Sequence, residues 1–328
     1  MPKSNILIFV DADHKIGLGH ISRQLSLVSI WKNFNVYFFT STVHVKNIIP
    51  KKYPITFYNP SNLNFLKNKI LKLSPKIILV DKLNERSSII KLLQNCCDNV
   101  ISIDYIGKNK KLLNHGISIL YPKNAVSTYP MKSLFDYAIL KNSFLKYKPI
   151  TVKKYVKNIL LLQGGADTHC FIPKILTALQ DADPKAKITV VLGSEFKCWN
   201  KLNPILSKNP QITIKHNVKN MAKLMKNFDL AITAAGNTLL EVTYLGIPCV
   251  IICSEKFENE TATLVENLGF GINLGFGKNL TTKKISITVK TLIDDYDLRK
   301  NMNKNSKKII DGNGSKRIYN VVLNEDIK

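Results

Sequence analysis

The run Asp11-Ala12-Asp13-His14-Lys15-Ile16-Gly17-Leu18-Gly19-His20 brings two acids, two glycines and two histidines together. Gly17 and Gly19 permit a tight turn and let a ligand approach the backbone closely. A helix opening behind them presents free N–H groups and the positive end of its dipole. His20, on the first turn of that helix, is a candidate general base, because a neutral imidazole can take a proton from water or from a sugar hydroxyl. The alternative is a plain turn followed by a packed or capping histidine. The third glycine of a dinucleotide fingerprint is absent, since Ser22 stands there. His14, His44, His115, His169 and His216 lack a comparable setting and read as solvated or structural.

Three later motifs have the same form. Gln163-Gly164-Gly165-Ala166-Asp167-Thr168 follows an apolar run and precedes a helical one, and offers a second anion site. Ala235-Gly236-Asn237-Thr238-Leu239-Leu240-Glu241 is followed by Gly246-Ile247-Pro248. There Asn237 or Thr238 would cap a helix whose N–H groups could hold a diphosphate. Glu241, one turn on, could accept both hydroxyls of a ribose, or could simply complete a capping box. Glu258-Asn259-Glu260-Thr261-Ala262 opens another helix, either to touch a sugar or phosphate or only to cap.

These motifs need elements to hold them. Short β-branched runs at 5–10, 35–41, 54–58, 76–81, 99–105 and 117–121 alternate with helical patterns such as 20–33. A second series has strands at 158–164, 188–194, 211–216, 230–236 and 249–255, with helical patterns after each. That alternation specifies βαβ units on parallel sheets. The proline and charge run over 146–158 reads as a linker. The expected architecture is α/β, with two Rossmann-like doubly wound domains, 1–148 and 149–328, facing a cleft at the carboxyl ends of their strands. No internal sequence repeat is evident. The tail beyond Thr281 reads as basic packing helices attached to the second domain.

The chain has 328 residues, enough for two cores of about 150 residues each. With 45% hydrophobic and 22% charged residues it is neither fibrous nor disordered. The N-terminus lacks a signal-peptide pattern, and no apolar run reaches the ~18 residues of a membrane span. Cys96, Cys97, Cys170, Cys198, Cys249 and Cys253 form no C-x-x-C pair. A disulfide framework or zinc site is therefore not expected, and a reducing cytoplasm is. The net charge is +25, yet only Arg23, Arg86, Arg299 and Arg317 are arginines. Lysine spread along the whole chain argues against base reading. No nucleic-acid partner is expected, while peripheral contact with an anionic membrane surface remains open.

In this order, the motifs resemble the UDP-sugar hydrolase of pseudaminic acid biosynthesis and its spore-coat-polysaccharide relatives. That family is similar to the lipid II N-acetylglucosaminyltransferase and has the GT-B fold. The resemblance rests on Ile16, Gly17, Gly19, His20 and Arg23, on 137–140 (Tyr-Ala-Ile-Leu), on Gly164 to Asp167, on Ala234 to Glu241 and on Asn259 to Thr263. It implies that the C-terminal half binds UDP. Gly164 and Gly165 would line the diphosphate, Asn237 and Thr238 would contact it, and Glu241 would hold the ribose. Backbone from Val218 to Met221 would meet the uracil, and Asn259, Glu260 and Thr261 close the match as candidate substrate or UDP contacts. His20 would be the general base, with Asp11 supporting its loop or bonding to the acceptor side.

The resemblance implies no metal or other cofactor, because helix dipoles and backbone N–H groups stabilise a leaving diphosphate. Asp11-Ala12-Asp13 has the D-x-D form but lies on the acceptor side. Two positions depart from the family pattern. Phe9 stands where an arginine is common, and Leu83 stands near the place of a tyrosine. Both lie on the acceptor side, so UDP-sugar binding is the firmer expectation. Hydrolysis of a UDP-2,4-diacetamido-2,4,6-trideoxy sugar is the first reading and glycosyl transfer to a surface glycan the second. A non-catalytic nucleotide-sugar binder would survive loss of His20, which separates it from both.

Overall fold

The computed structural model describes residues 3–13, 17–131, 135–183 and 185–323. His14 and Ile16 of the first motif lie outside the described residues. The chain forms two compact units, one running to Ile139 and resuming at Asn313, the other spanning Leu140–Gly312.

In the first unit, β1 (Ser4–Val10), β2 (Phe34–Thr40), β3 (Ile55–Phe57), β4 (Ile77–Asp81), β5 (Val100–Ile103) and β6 (His115–Ile117) form one sheet. Its order is β3-β2-β1-β4-β5-β6, and every neighbouring pair is parallel. The chain winds outward from β1 to β3, then crosses back to β4. The switch point, where ligands collect in such sheets, is therefore the carboxyl end of β1 and β4. Ile6 through Val10 are buried without a break, as a strand covered on both faces must be. Leu7, Phe9 and Val80 pack against Leu66 and Ile70 of α2 (Leu63–Leu73) and against Ile89, Ile90 and Leu93 of α3 (Ser87–Cys96). On the other face α1 (Gly19–Val28) buries Ile21, Leu27 and Val28, but also Arg23 and Gln24. Two polar side chains on an inward helix face need partners, and the site supplies them.

The second unit repeats the winding with β7 (Asn158–Leu162), β8 (Lys187–Leu192), β9 (Ile212–His216), β10 (Leu230–Thr233), β11 (Cys249–Cys253) and β12 (Ile272–Phe276). The order is β12-β11-β10-β7-β8-β9, which places its switch point between β7 and β10. The helices are α4 (Phe171–Ala182), α5 (Trp199–Lys208), α6 (Met221–Met225), α7 (Asn237–Tyr244), α8 (Asn259–Asn267), α9 (Thr282–Asp294) and α10 (Tyr296–Ser306). The strand β12 was not expected, because the glycines of GFGINLGFG hide its pattern. The run expected as a strand at 117–121 pairs instead as His115–Ile117.

The boundaries also differ from expectation. The break falls at 139/140 rather than 148/149 because the linker is bound into the second unit. Arg299, fully buried, donates from Nη2 to Lys153 O at 3.2 Å and Lys154 O at 2.7 Å. Its Nη1 donates to Leu292 O at 2.8 Å and Ile293 O at 2.5 Å, where the last carbonyls of α9 welcome a cation. The last helix, α11 (Gly314–Leu323), belongs to the first unit and not the second. Its Arg317 Nη1 donates to Asp136 O at 2.9 Å, and the Tyr319 ring meets Phe34 edge-on at 6.0 Å. Only glycine fits at 314, since a Cβ there would lie 2.2 Å from Ala138 O.

Cys170 and Cys198 form a disulfide, against the expectation that no cysteines pair. Their Cα atoms are 5.8 Å apart, inside the span a disulfide needs. The pair comes from two different loops, so no spacing in the sequence signalled it. It also removes cysteine usage as an argument for a reducing compartment. No described helix is long and apolar enough to cross a membrane.

Candidate functional site

Asp81 is the last residue of β4 and lies in register with Val10 at the end of β1. It is wholly buried at the switch point of the first sheet. His20 is the second residue of α1, and its Nδ1 lies 2.7 Å from Asp81 Oδ1. An ionised carboxylate only accepts, so Nδ1 carries the proton and Nε2 offers a lone pair when the ring is neutral. Arg23, one turn along α1, donates Nε to Asp81 Oδ2 at 2.8 Å and pairs through Nη2 with Asp81 Oδ1. Gln24 Nε2 donates a further bond to Asp81 Oδ2 at 2.6 Å. Arg23 Nη1 reaches Asp104 Oδ2 at 2.5 Å, and Asp104 Oδ1 accepts from Ile119 N and Leu120 N at 2.7 and 2.9 Å.

Burial alone would raise the Asp81 carboxyl, but the charges of Arg23 and His20 override it and hold it well below its ordinary value. The result is an oriented imidazole backed by a permanent anion, the arrangement a general base needs. The side chain of His20 keeps 14% exposure, and α1 opens at Leu18 without a side-chain cap. Gly17 has φ +78° and open space where a Cβ would stand, and its N–H donates to Asp13 O at 2.7 Å.

Asp11 does not share this role. Its Oδ1 accepts from Thr40 Oγ1 at 2.9 Å and Ser41 N at 2.8 Å, and its Oδ2 from Ser41 Oγ at 2.9 Å and Lys82 Nζ at 2.7 Å. All acceptor directions are taken, so Asp11 ties the ends of β1, β2 and β4 together. Expected either to support its loop or to bond to the acceptor side, Asp11 is held in this network of strand ends.

The second unit builds another switch point. Leu162 of β7 pairs with Thr233 of β10, so the loops that follow them leave the sheet side by side. These are the loops of Gly164-Gly165 and of Gly236-Asn237-Thr238. Gly164 has φ +66°, and neither Gly164 nor Gly165 has an atom within 4 Å of a Cβ position. Gly165 O is approached from behind by Gly193, where a Cβ would lie 2.3 Å away.

The start of α4 is not a free anion site, because Asp167 fills it. Its carboxylate accepts from Phe171 N at 2.8 Å and Ile172 N at 2.9 Å, and burial raises its pKa. The start of α7 is different. Its N-cap is Gly236, with no side-chain cap, so neither Asn237 nor Thr238 caps it and Glu241 completes no capping box. Glu241 sits one turn along α7, where burial pushes its carboxyl up to about 7 against the charge of Lys141.

Glu258 lies beneath the same end of α7. Burial raises its carboxyl, while backbone N–H groups of Ser254, Glu255 and Ala235 oppose the rise. Two further links join the β7 and β11 loops. His169 Nε2 lies 2.8 Å from Glu255 Oε1, and Ser254 Oγ donates to Gln163 Oε1 at 3.2 Å.

Residues 159–318 match the glycosyltransferase family 28 C-terminal domain. The chain is 31% identical over 279 residues to an uncharacterized protein of Methanocaldococcus jannaschii, covering 78% of this chain and 57% of that protein. It is 25% identical to the spore coat polysaccharide biosynthesis protein SpsG of Bacillus subtilis, over 95% of each chain. It is also 25% identical to the UDP-2,4-diacetamido-2,4,6-trideoxy-beta-L-altropyranose hydrolase of Campylobacter jejuni, over 81% of this chain and 98% of that one. The family match runs from β7 into α11. Among solved structures, MurG of Acinetobacter baumannii superposes with a TM-score of 0.67 at 14% identity, over 98% of this chain and 99% of that one. A UDP complex of MnaA from Staphylococcus aureus gives 0.66 at 14% identity, over 97% and 96%. These likenesses establish the GT-B fold.

Within this GT-B protein, the site residues expected from sequence divide by placement. Gly17, Gly19 and His20 stand at the first switch point, and Gly164, Gly165, Asn237, Thr238 and Glu241 at the second. Val218 and Met221 occupy the turn from β9 to α6, two strands away from β7. Asn259 opens α8 with its Oδ1 bonded to Asn273 Nδ2 at 3.0 Å, and Glu260 follows it half-buried. Thr261 faces the core with no exposure. Among the described residues, no group of three acids, histidines or cysteines is placed to hold a metal.

Sequence reasoning missed Asp81 and Asp104 as partners of α1, although Asp81 ends β4 and Asp104 directly follows β5. His216 packs on Trp199 at 5.1 Å, and burial lowers the pKa of His115.

Proposed function

We propose that the protein cleaves a UDP-sugar, with His20 as general base, and that its acceptor is water. One observation carries the reading: the His20–Asp81–Arg23 arrangement at the first switch point. The family relatives supply the substrate class, because one of them is named as a UDP-sugar hydrolase. The UDP complex of MnaA, which has the same fold, supports UDP as the ligand of the second unit.

In this reading the diphosphate rests on Gly164, Gly165 and the uncapped start of α7, where backbone N–H groups and the helix dipole stabilise charge. Asn237 and Thr238 lie beside it, Glu241 takes the ribose hydroxyls, and backbone at Val218 and Met221 meets the uracil. A water oxygen attacks the anomeric carbon and gives its proton to His20 Nε2. The bond from that carbon to UDP breaks, and its electron pair leaves on the β-phosphate oxygen. Asp81 and Arg23 keep the imidazolium paired and aimed.

Glycosyl transfer uses the same base on a sugar or lipid hydroxyl, and the match to a glycosyltransferase domain favours keeping it as the second reading. Incubation with UDP-2,4-diacetamido-2,4,6-trideoxy-altropyranose and no acceptor separates the two. Release of UDP together with free sugar is the expected result. UDP binding without release would move the assignment to transfer.

A further inference from the structure

The Gly164–Asp167 loop of the second unit is held at both ends. Gly164 and Gly165 are exposed, whereas Asp167 is buried at the far end. Asp167 O accepts from Cys170 N at 2.8 Å, and its carboxylate accepts from Phe171 N at 2.8 Å and Ile172 N at 2.9 Å. This cap places two residues in left-handed backbone, Asp167 with φ +42° and Cys170 with φ +55°. Aspartate visits that region at little cost, but cysteine does not. A strained residue persists only where its surroundings over-determine it, and at Cys170 the bond to Cys198 does so. Cys198 ends the connection from β8 to α5, and its Sγ lies 3.9 Å from Asp167 O. Gly193 begins the same connection and packs against Gly165, where a Cβ on it would lie 2.3 Å from Gly165 O and 2.7 Å from Gly165 Cα. The disulfide thus fastens the far end of the loop to the connection that backs its near end.

We propose that the Cys170–Cys198 bond is a thiol–disulfide switch on this loop, and that the reduced protein holds a nucleoside diphosphate more weakly. A dithiol reductant works it. One of its thiolates attacks Cys170 Sγ, which is half-buried beside exposed Thr168 and His169, while Cys198 is only 6% exposed. The S–S bond breaks, and its electron pair leaves on Cys198 Sγ, which takes a proton. The second thiolate of the reductant then attacks the mixed disulfide and frees Cys170, which is protonated in turn. The protein gains two electrons and two protons, and the reductant becomes a disulfide. Cys170, released, relaxes out of the left-handed region, and the Asp167 cap on Phe171 N and Ile172 N opens with it. Ligand binding must then restore the strained loop. The effect on UDP rests on the reading of the second unit as the UDP site.

The test compares the oxidised full chain with the same protein reduced by dithiothreitol, at a temperature where circular dichroism shows both folded. Amide hydrogen exchange at Phe171 and Ile172 is expected to speed up about tenfold on reduction, and UDP affinity by calorimetry to weaken about tenfold. Cys198→Ser should match the reduced protein and ignore dithiothreitol, although it keeps the four unpaired cysteines. Cys170→Asn combined with Cys198→Ser lacks the bond but carries a residue that tolerates left-handed backbone. It should recover most of the affinity. A loss of global stability alone leaves the affinity of a folded protein in place, so equal affinity of the oxidised and reduced forms overturns the proposal. So does unchanged exchange at Phe171 and Ile172, or a double variant as weak as Cys198→Ser. Should Cys198→Ser not fold, reduction of the wild type still decides. No UDP binding by the oxidised protein would sink the UDP reading of the second unit, and the exchange comparison would still decide the switch.

Discussion

Asp81 Oδ1 stands 2.7 Å from His20 Nδ1 at the carboxyl end of the first sheet. Asp81 is fixed by Arg23 and Gln24 from the same helix that carries the histidine. The helix therefore delivers base, counter-ion and clamp together, through residues at one-turn spacing on its inner face.

Asp81→Asn removes the anion but keeps the shape. The expected result is a fall in kcat of about 10²- to 10⁴-fold with UDP affinity unchanged, read by steady-state kinetics and calorimetry. Stability should also fall, by about 3–5 kcal/mol, because Arg23 loses a buried partner. The pH dependence has a definite sign. The folded carboxyl lies below its unfolded value of 3.8, so its contribution is complete above that value and is lost as pH falls through the acid range. Urea unfolding at pH 3 and pH 6 should show that loss in wild type and not in Asp81→Asn.

Glu241 titrates the other way. Burial pushes its carboxyl from 4.5 up to about 7, so its effect on folding favours low pH and fades as pH rises through about 7. Binding a ribose diol needs the carboxylate as acceptor. UDP affinity should therefore be about tenfold weaker at pH 6 than at pH 8. In Glu241→Gln it should be weaker throughout and flat with pH. An affinity independent of pH in wild type would remove Glu241 from the ribose.

The glycines make a contrast of space. Gly165→Val finds no atom within 4 Å of its Cβ, so it should fold normally and yet lose UDP affinity at least tenfold by filling the ligand's place. Gly193→Ala puts a Cβ 2.3 Å from Gly165 O and must shift that backbone. It should lose both affinity and thermal stability. Equal behaviour of the two variants would argue that the loop does not hold a ligand.

Reducing the Cys170–Cys198 bond releases a closed loop with a sequence separation of 28. The chain-entropy account gives about 3–4 kcal/mol for a loop of that size. Thermal unfolding with and without dithiothreitol should differ accordingly, and Cys198→Ser should show no such difference.

Much of this was legible in the sequence. Apolar runs such as Ile6 to Val10 and Cys249 to Cys253 specify buried parallel strands, and glycines before helices mark their ligand ends. The β12 strand was hidden by Gly271, Gly275 and Gly277, which break the apolar run. Asp81 and Asp104 were hidden for another reason: their partner Arg23 is distant in sequence and meets them only through sheet order. The same holds for Lys82 with Asp11, and for Cys170 with Cys198. Asp167 looked like part of a phosphate loop, and only its bonds to Phe171 N and Ile172 N reveal a cap.

His20→Ala assayed beside wild type, for UDP release from the UDP-sugar and for UDP affinity by calorimetry, tests the central claim most directly. The expected result is release slowed by about 10²- to 10⁴-fold with affinity for UDP unchanged. Release at the wild-type rate by His20→Ala would contradict the account.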